Sequence, residues 1–264
     1  MRAPALTLCI ALAAAGTGSC ASKYVTPGAA ARLDRLREVA AADAAVVDRV
    51  DVLTELQRAP AAHFPARLAI ARVQAPGYVS HSQRGGSVPG LGFSVMTVNE
   101  LLDDEQLSEI AQWIDVAGAA PLNRMLLPDS VRGVDDLRVS AAKLQADMLL
   151  LYTIDTRFEV RRKLVLPTGV ISLGLAPDRD ASVTATASAL FVDVRTGFVY
   201  GASEATAKQA GLASFWSSGE RLDQKRVEAE RRAFADLLGG LEKTWRGIAR
   251  EHAPRGRAAE DAAG

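Results

Sequence analysis

Ala146-Asp147-Met148-Leu149-Leu150-Leu151-Tyr152-Thr153-Ile154-Asp155 is the stretch that decides the fold. Its middle is apolar without a polar break, and it closes on strand-forming residues. A strand packed on one face alternates apolar and polar side chains, whereas a strand covered on both faces reads as one apolar run. Residues 146–155 therefore predict a central strand with helices on the sheet it belongs to.

Upstream, residues 134–145 place Val134, Leu137, Ala141 and Leu144 at helical spacing. Before them Asp103-Asp104-Glu105 opens another helix, with acidic side chains at its positive end. Leu107, Ile110, Ala111 and Ile114 are its expected buried face, and Gly118 and Pro121 its expected stop. A short strand is expected over residues 122–127, ended by Pro128. Residues 65–73 set Leu68, Ile70 and Arg72 against Ala69, Ala71 and Val73, the alternation of a strand whose small residues admit close helix cover. Residues 74–92 carry five glycines and two prolines and predict a long loop, followed by a short strand segment within 93–98.

Downstream, residues 158–166 extend the central strand or add another, and residues 167–180 read as loop. Over residues 182–194, Val183, Ala185, Ala187, Ala189 and Phe191 fall on one side and Thr184, Thr186, Ser188 and Leu190 on the other. Arg195-Thr196-Gly197 is a three-residue hairpin loop with glycine where a left-handed conformation is wanted, and residues 198–207 are the return strand. Residues 222–249 form the last helix, with Val227, Phe234, Leu237, Leu238, Leu241, Trp245 and Ile248 inward and Gly239-Gly240 as a weak point. This order predicts an α/β fold: a mixed parallel and antiparallel sheet covered by helices, with three parallel strands joined by crossovers and a hairpin completing the sheet.

The N-terminus carries an export signal. Met1-Arg2 precedes an uncharged run from Ala3 to Gly16, too short to span a bilayer, which needs about 20 apolar residues. Gly16-Thr17-Gly18-Ser19 then meets Cys20. Small residues before a cysteine resemble the lipobox of bacterial lipoproteins, which implies a diacylglyceryl thioether on Cys20 and removal of the preceding peptide. Thr17 departs from the leucine frequent at that position of the pattern. The alternative is an ordinary cleaved signal ending around Ser19-Cys20-Ala21. Cysteine usage favours lipidation: Cys9 leaves with the signal, and Cys20 would otherwise be a lone thiol in an exported protein. No Asp follows Cys20, so the inner-membrane retention rule of such lipoproteins does not apply, which favours the outer membrane, on its periplasmic side, in a host with two membranes. More than one acyl chain gives firm anchoring.

The expected organisation is a signal peptide over 1–19, a lipidated N-terminus and helical extension over 20–60, an α/β domain over 61–252 and a flexible tail over 253–264. The extension rests on Leu33, Leu36, Val39, Val46, Val50, Leu53 and Leu56, capped at Thr26-Pro27 and ended by Pro60. Lys plus Arg and Asp plus Glu are 31 each, so no basic surplus points to nucleic acid. Aromatics at 5% are too few for a carbohydrate-binding face.

Residues with chemistry are scattered. His63, His81 and His252 lack metal-ligand spacing, and no cofactor or metal is expected. Ser80-His81-Ser82 lies in the glycine-rich loop without a third orienting group or a G-x-S-x-G elbow, so it reads as surface loop. Asp147, Asp155 and Asp193 flank strands and are expected to cap strand ends or pair with Arg157, Arg161 or Arg195. Trp113 and Trp216 are candidates for an interaction patch, or ordinary half-buried tryptophans.

Two phrases carry a further resemblance: Ala-Asp-Met-Leu-Leu-Leu-Tyr at 146–152 and Ala-Leu-Phe-Val-Asp-Val-Arg-Thr-Gly-Phe-Val-Tyr-Gly at 189–201. With the element order over residues 65–250 they resemble a family of bacterial envelope lipoproteins. That domain is similar to those of the curli secretion channel lipoprotein, the lipoprotein activators of penicillin-binding proteins and the N-terminal domain of the Tol propeller protein. The resemblance implies a domain without a catalytic motif that binds or scaffolds an envelope component. The channel's long hairpins have no counterpart in residues 156–182, which read as short and proline-broken. The alternatives are a subunit of a secretion-type oligomer, or an envelope hydrolase using the 74–92 loop as a substrate lip.

Overall fold

A tight turn closes the last hairpin. In the computed structural model, which describes residues 30–31, 52–76, 78, 86–90, 92–97, 101–162, 179–212 and 219–254, Gly197 has φ 73° and its N–H donates to Asp193 O at 2.9 Å. A side chain at that φ is strained. A Cβ there would also run into the Arg58 guanidinium and come within 3.2 Å of that of Arg138. Gly197→Val is expected to cost roughly 1–2 kcal/mol and lower the melting temperature; an unchanged thermal melt would contradict the strained turn.

The hairpin's strands are β6 (Arg179–Asp193) and β7 (Val199–Leu212), and β6 also pairs antiparallel with β5 (Met148–Arg162) along its whole length. β5 is parallel to β1 (Ala66–Gln74), with Ile70 opposite Leu150. On its other side β1 pairs in parallel with β4 (Val116–Pro121) over its first half and antiparallel with β3 (Ser94–Met96) at its end. β3 in turn pairs with β2 (Ser87–Pro89), giving the order β2-β3-β1-β5-β6-β7 with β4 beside β1. The chain is therefore α/β, with a mixed sheet covered by helices.

The central apolar run has the expected reason. Met148, Leu150, Tyr152 and Ile154 face a core shared with Leu68, Ile70 and Phe191 and with two helices, α2 (Asp104–Ala111) and α4 (Gly219–His252). Leu149 and Leu151 face a second core under α3 (Val134–Lys143), with Leu137, Ala141 and Val192. α4 lays Phe234, Leu237, Leu238, Leu241, Trp245 and Ile248 on the first core, Trp245 packing 5.5 Å from Phe191 and 5.7 Å from Phe64. Burying each such side chain contributes about 1.5–3 kcal/mol. A short helix, α1 (Val52–Gln57), precedes β1.

Several expectations need correction. The strand expected at 122–127 lies earlier, at Val116–Pro121, and Arg124–Leu126 is a 3-10 turn. α2 ends sooner than its apolar spacing suggested: it stops at Ala111, and Asp115 takes φ 57°, turning the chain so that Val116 meets Ala66. The ladder with β1 then makes a strand of Ala and Gly residues that have little strand tendency of their own. Gly118 and Pro121 sit in that strand rather than stopping a helix, and Ile114, expected inward, is 62% exposed. Ala111 is exposed as well, while Trp113 is buried. The 74–92 loop contains β2. β5 and β6 pair as far as Arg162 and Arg179, so both strands reach into the stretch read as short. Gly239-Gly240 leaves α4 unbroken.

Asp103 caps α2 as the acidic opening suggested: its carboxylate accepts from Gln106 N at 3.0 Å, and the Gln106 side chain accepts from Asp103 N at 3.0 Å. The signal peptide, Cys20, most of the 20–60 extension, Ser80, His81, Trp216 and the tail from 255 lie outside the described residues.

Candidate functional site

Two of the three singled-out aspartates meet at one end of the sheet, because Asp193 closes β6 opposite Met148 and Asp147 precedes that residue. Asp193 is buried and fully engaged. Its Oδ1 accepts from Arg195 N at 2.8 Å and Thr196 N at 3.0 Å, and its Oδ2 from Ala61 N at 2.7 Å and Tyr200 OH at 2.8 Å. Burial acts to raise its pKa, but the backbone N–H groups and the Tyr200 hydroxyl outweigh it and hold the carboxyl below its usual value. Burial, offset in part by the Ala62 N–H and reinforced by Asp193, pushes the Tyr200 hydroxyl up to about 12.

Asp147 accepts from Arg67 N at 3.0 Å and lies 3.6 Å from His63 Nδ1 and 3.8 Å from Arg195 Nη2. Arg195 also reaches His63 Nδ1 at 2.6 Å. Arg58 and Arg138 bind the carbonyls of Thr196, at 2.7 Å, and Val194, at 3.0 Å. Asp155 stands apart and pairs with Arg157 at 3.0 Å. Arg161 lies in a part of β5 whose side chains fall outside the described residues. His252 ends α4 with its ring edge-on to Tyr200 at 5.1 Å.

This cluster ties residues 58–63 to the hairpin turn. Its donors hold the Asp193 carboxyl below its usual value, and the Tyr200 phenol keeps its proton at neutral pH. Among the described residues no three His, Cys, Asp or Glu side chains gather as a metal would require.

A second polar cluster was not anticipated. Arg72, Arg226 and Glu230 are buried between β1 and α4. Arg226 Nη1 donates to Glu230 Oε2 at 2.7 Å and its Nε to Asp223 Oδ1 at 2.8 Å. Thr156 Oγ1 donates to Glu230 Oε1 at 2.8 Å, and Arg72 Nη2 lies 3.7 Å from Glu230 Oε2 and donates to Tyr78 OH at 3.0 Å. Burial acts to lower the Arg226 pKa, yet Asp223 and Glu230 raise it overall, so the guanidinium stays charged. Burial pushes the nearby Tyr152 hydroxyl up to about 12, against the pull of Arg72. The signal was present: the inward stripe Leu241, Leu237 and Phe234, continued back by whole turns, lands on Glu230 and Arg226. Val227, expected inward, is only half-buried, and Arg226 beside it takes the inward place.

The face of the sheet away from α4 holds a cleft of about 350 Å³ lined by Val73, Leu151, Thr153, Ser188, Leu190 and Glu204, among others. Ser188 Oγ donates to Glu204 Oε2 at 2.8 Å, and the described lining residues include no histidine. Ala30 bridges to Gln74 at its margin, and Ala31 N donates to Thr153 Oγ1 at 2.8 Å.

No protein-family model matches the chain, and no curated protein matches it. Among solved structures, protein XCC0632 from Xanthomonas campestris, of family DUF330, is 11% identical, with a TM-score of 0.35 over 73% of this chain and 93% of that one. Lipoprotein GNA1162 from Neisseria meningitidis is 15% identical, with a TM-score of 0.28 over 62% of this chain and 96% of that one. At such overlap neither decides this chain's family or function.

Proposed function

We propose that the protein is an envelope lipoprotein, anchored to the outer membrane on its periplasmic side through Cys20, whose α/β domain is non-catalytic and binds or scaffolds another envelope component. The observation that carries the reading is Cys20 itself, the sole cysteine beyond the uncharged run that ends at Gly16. A thioether-linked lipid gives that lone thiol a use and holds the domain at the membrane without a spanning segment. None of the described helices is long and apolar enough to cross a membrane. Asp193 and Glu230 are held in structural hydrogen bonds, which suits a body that presents a surface rather than a reaction centre.

Mass spectrometry of the native protein is expected to find a diacylated or triacylated Cys20 at the mature N-terminus. An unmodified terminus beginning at Ser22 would remove the anchor. The scaffolding role is checked separately, by co-purification of the acylated protein from its own envelope; no partner at stoichiometric yield would count against it.

A further inference from the structure

β7 ends the strand order, and among the described residues it pairs only with β6. It runs 14 residues, where strands are commonly about 5–6. A long free edge is a template for another strand, and proteins usually guard one with proline, a bulge, short length or several charges. Past its first residues, where the register with β6 shifts, β7 carries only two charged side chains as a guard. It contains no proline, and its register with β6 is unbroken from Gly201 opposite Phe191 to Leu212 opposite Asp180. α4 covers one face of the strand, through Thr244 and Ser203 at 2.8 Å, and leaves the edge itself unpaired among the described residues.

The only charges on β7 are Glu204 and Lys208, both exposed on the face away from α4, with Thr206 midway between them. We propose that this edge is a homodimer interface, in which β7 of a second copy pairs antiparallel about a two-fold axis at Thr206. In that register Glu204 of each copy lies opposite Lys208 of the other, so the attractive pair is made twice. Placing the axis at Glu204 or at Lys208 would set like charges opposite each other. The charge spacing thus selects a self-complementary register, as a two-fold interface requires. On the inner face the same register sets Ala205 against the other copy's Ala207, small residues that let the two sheets join into one. The proposal does not depend on the anchor and holds equally for a Cys20→Ser chain.

The test is sedimentation equilibrium of the full chain in detergent. The wild type is expected to have the mass of a dimer. K208E and E204K, each of which turns both attractive pairs repulsive, should each raise the dimer dissociation constant roughly tenfold, with melting temperatures retained. The double exchange E204K/K208E restores opposite charges and should restore the wild-type constant. A monomeric wild type, a larger assembly indifferent to both single substitutions, or a double variant as weak as the single ones would each overturn the proposal.

Discussion

Replacing Leu150 by Asp is expected to leave the chain unfolded. Leu150 is 2% exposed, lies between Ile70 of β1 and Phe191 of β6 in the pairing register, and belongs to the core beneath α4. The substitution removes roughly 1.5–3 kcal/mol of apolar burial. It also leaves a carboxyl among apolar side chains, where burying it unpaired costs several kcal/mol more. Domains of this kind are stable by only about 5–15 kcal/mol, so the combined loss is comparable with the whole. Far-UV circular dichroism and a thermal melt read the result. A cooperative melt at the wild-type temperature would show that β5 is not the centre of the sheet.

Glu230→Ala should have the next largest effect, a loss of roughly 3–5 kcal/mol. Glu230 is 1% exposed and answers Arg226, Arg72 and Thr156 at once. Without it two buried guanidinium groups face each other with less compensation. Asp223→Ala is the contrasting case: its side chain is 14% exposed, and Arg226 keeps Glu230. Denaturant unfolding of the two variants is expected to separate them clearly. Equal midpoints would mean that Glu230 does not hold the buried cations together.

The parts of the fold readable from residue order are those where neighbours along the chain carry the signal. The doubly apolar run at β5, the alternation of Val183, Ala185, Ala187, Ala189 and Phe191, the glycine at 197 and the stripe of α4 are all local patterns, and the structure has each of them. The pairing of Asp155 with Arg157 was equally legible, because the partners are two residues apart.

Other features depend on what lies across the fold. The residues of β4 are Ala, Gly, Pro and a single Val, and become a strand because β1 offers them a ladder. Trp113 lies in the same core cluster as residues of β1 and α4, a partner set far from it in sequence. Asp193 was singled out as a strand-end cap, but its bond to Ala61 N spans 132 residues. Arg72, Glu230 and Thr156 come from three distant elements, and no local pattern says that a charged residue on an inward stripe will find its counter-charge. By itself, then, the sequence determined the α/β class, the central strand, the last hairpin and the long covering helix, because hydrophobic period and turn chemistry act between near neighbours. Only the tertiary structure decided where β4 lies, which polar groups are buried and which strand ends the described sheet, because those follow from pairing and desolvation between segments far apart along the chain.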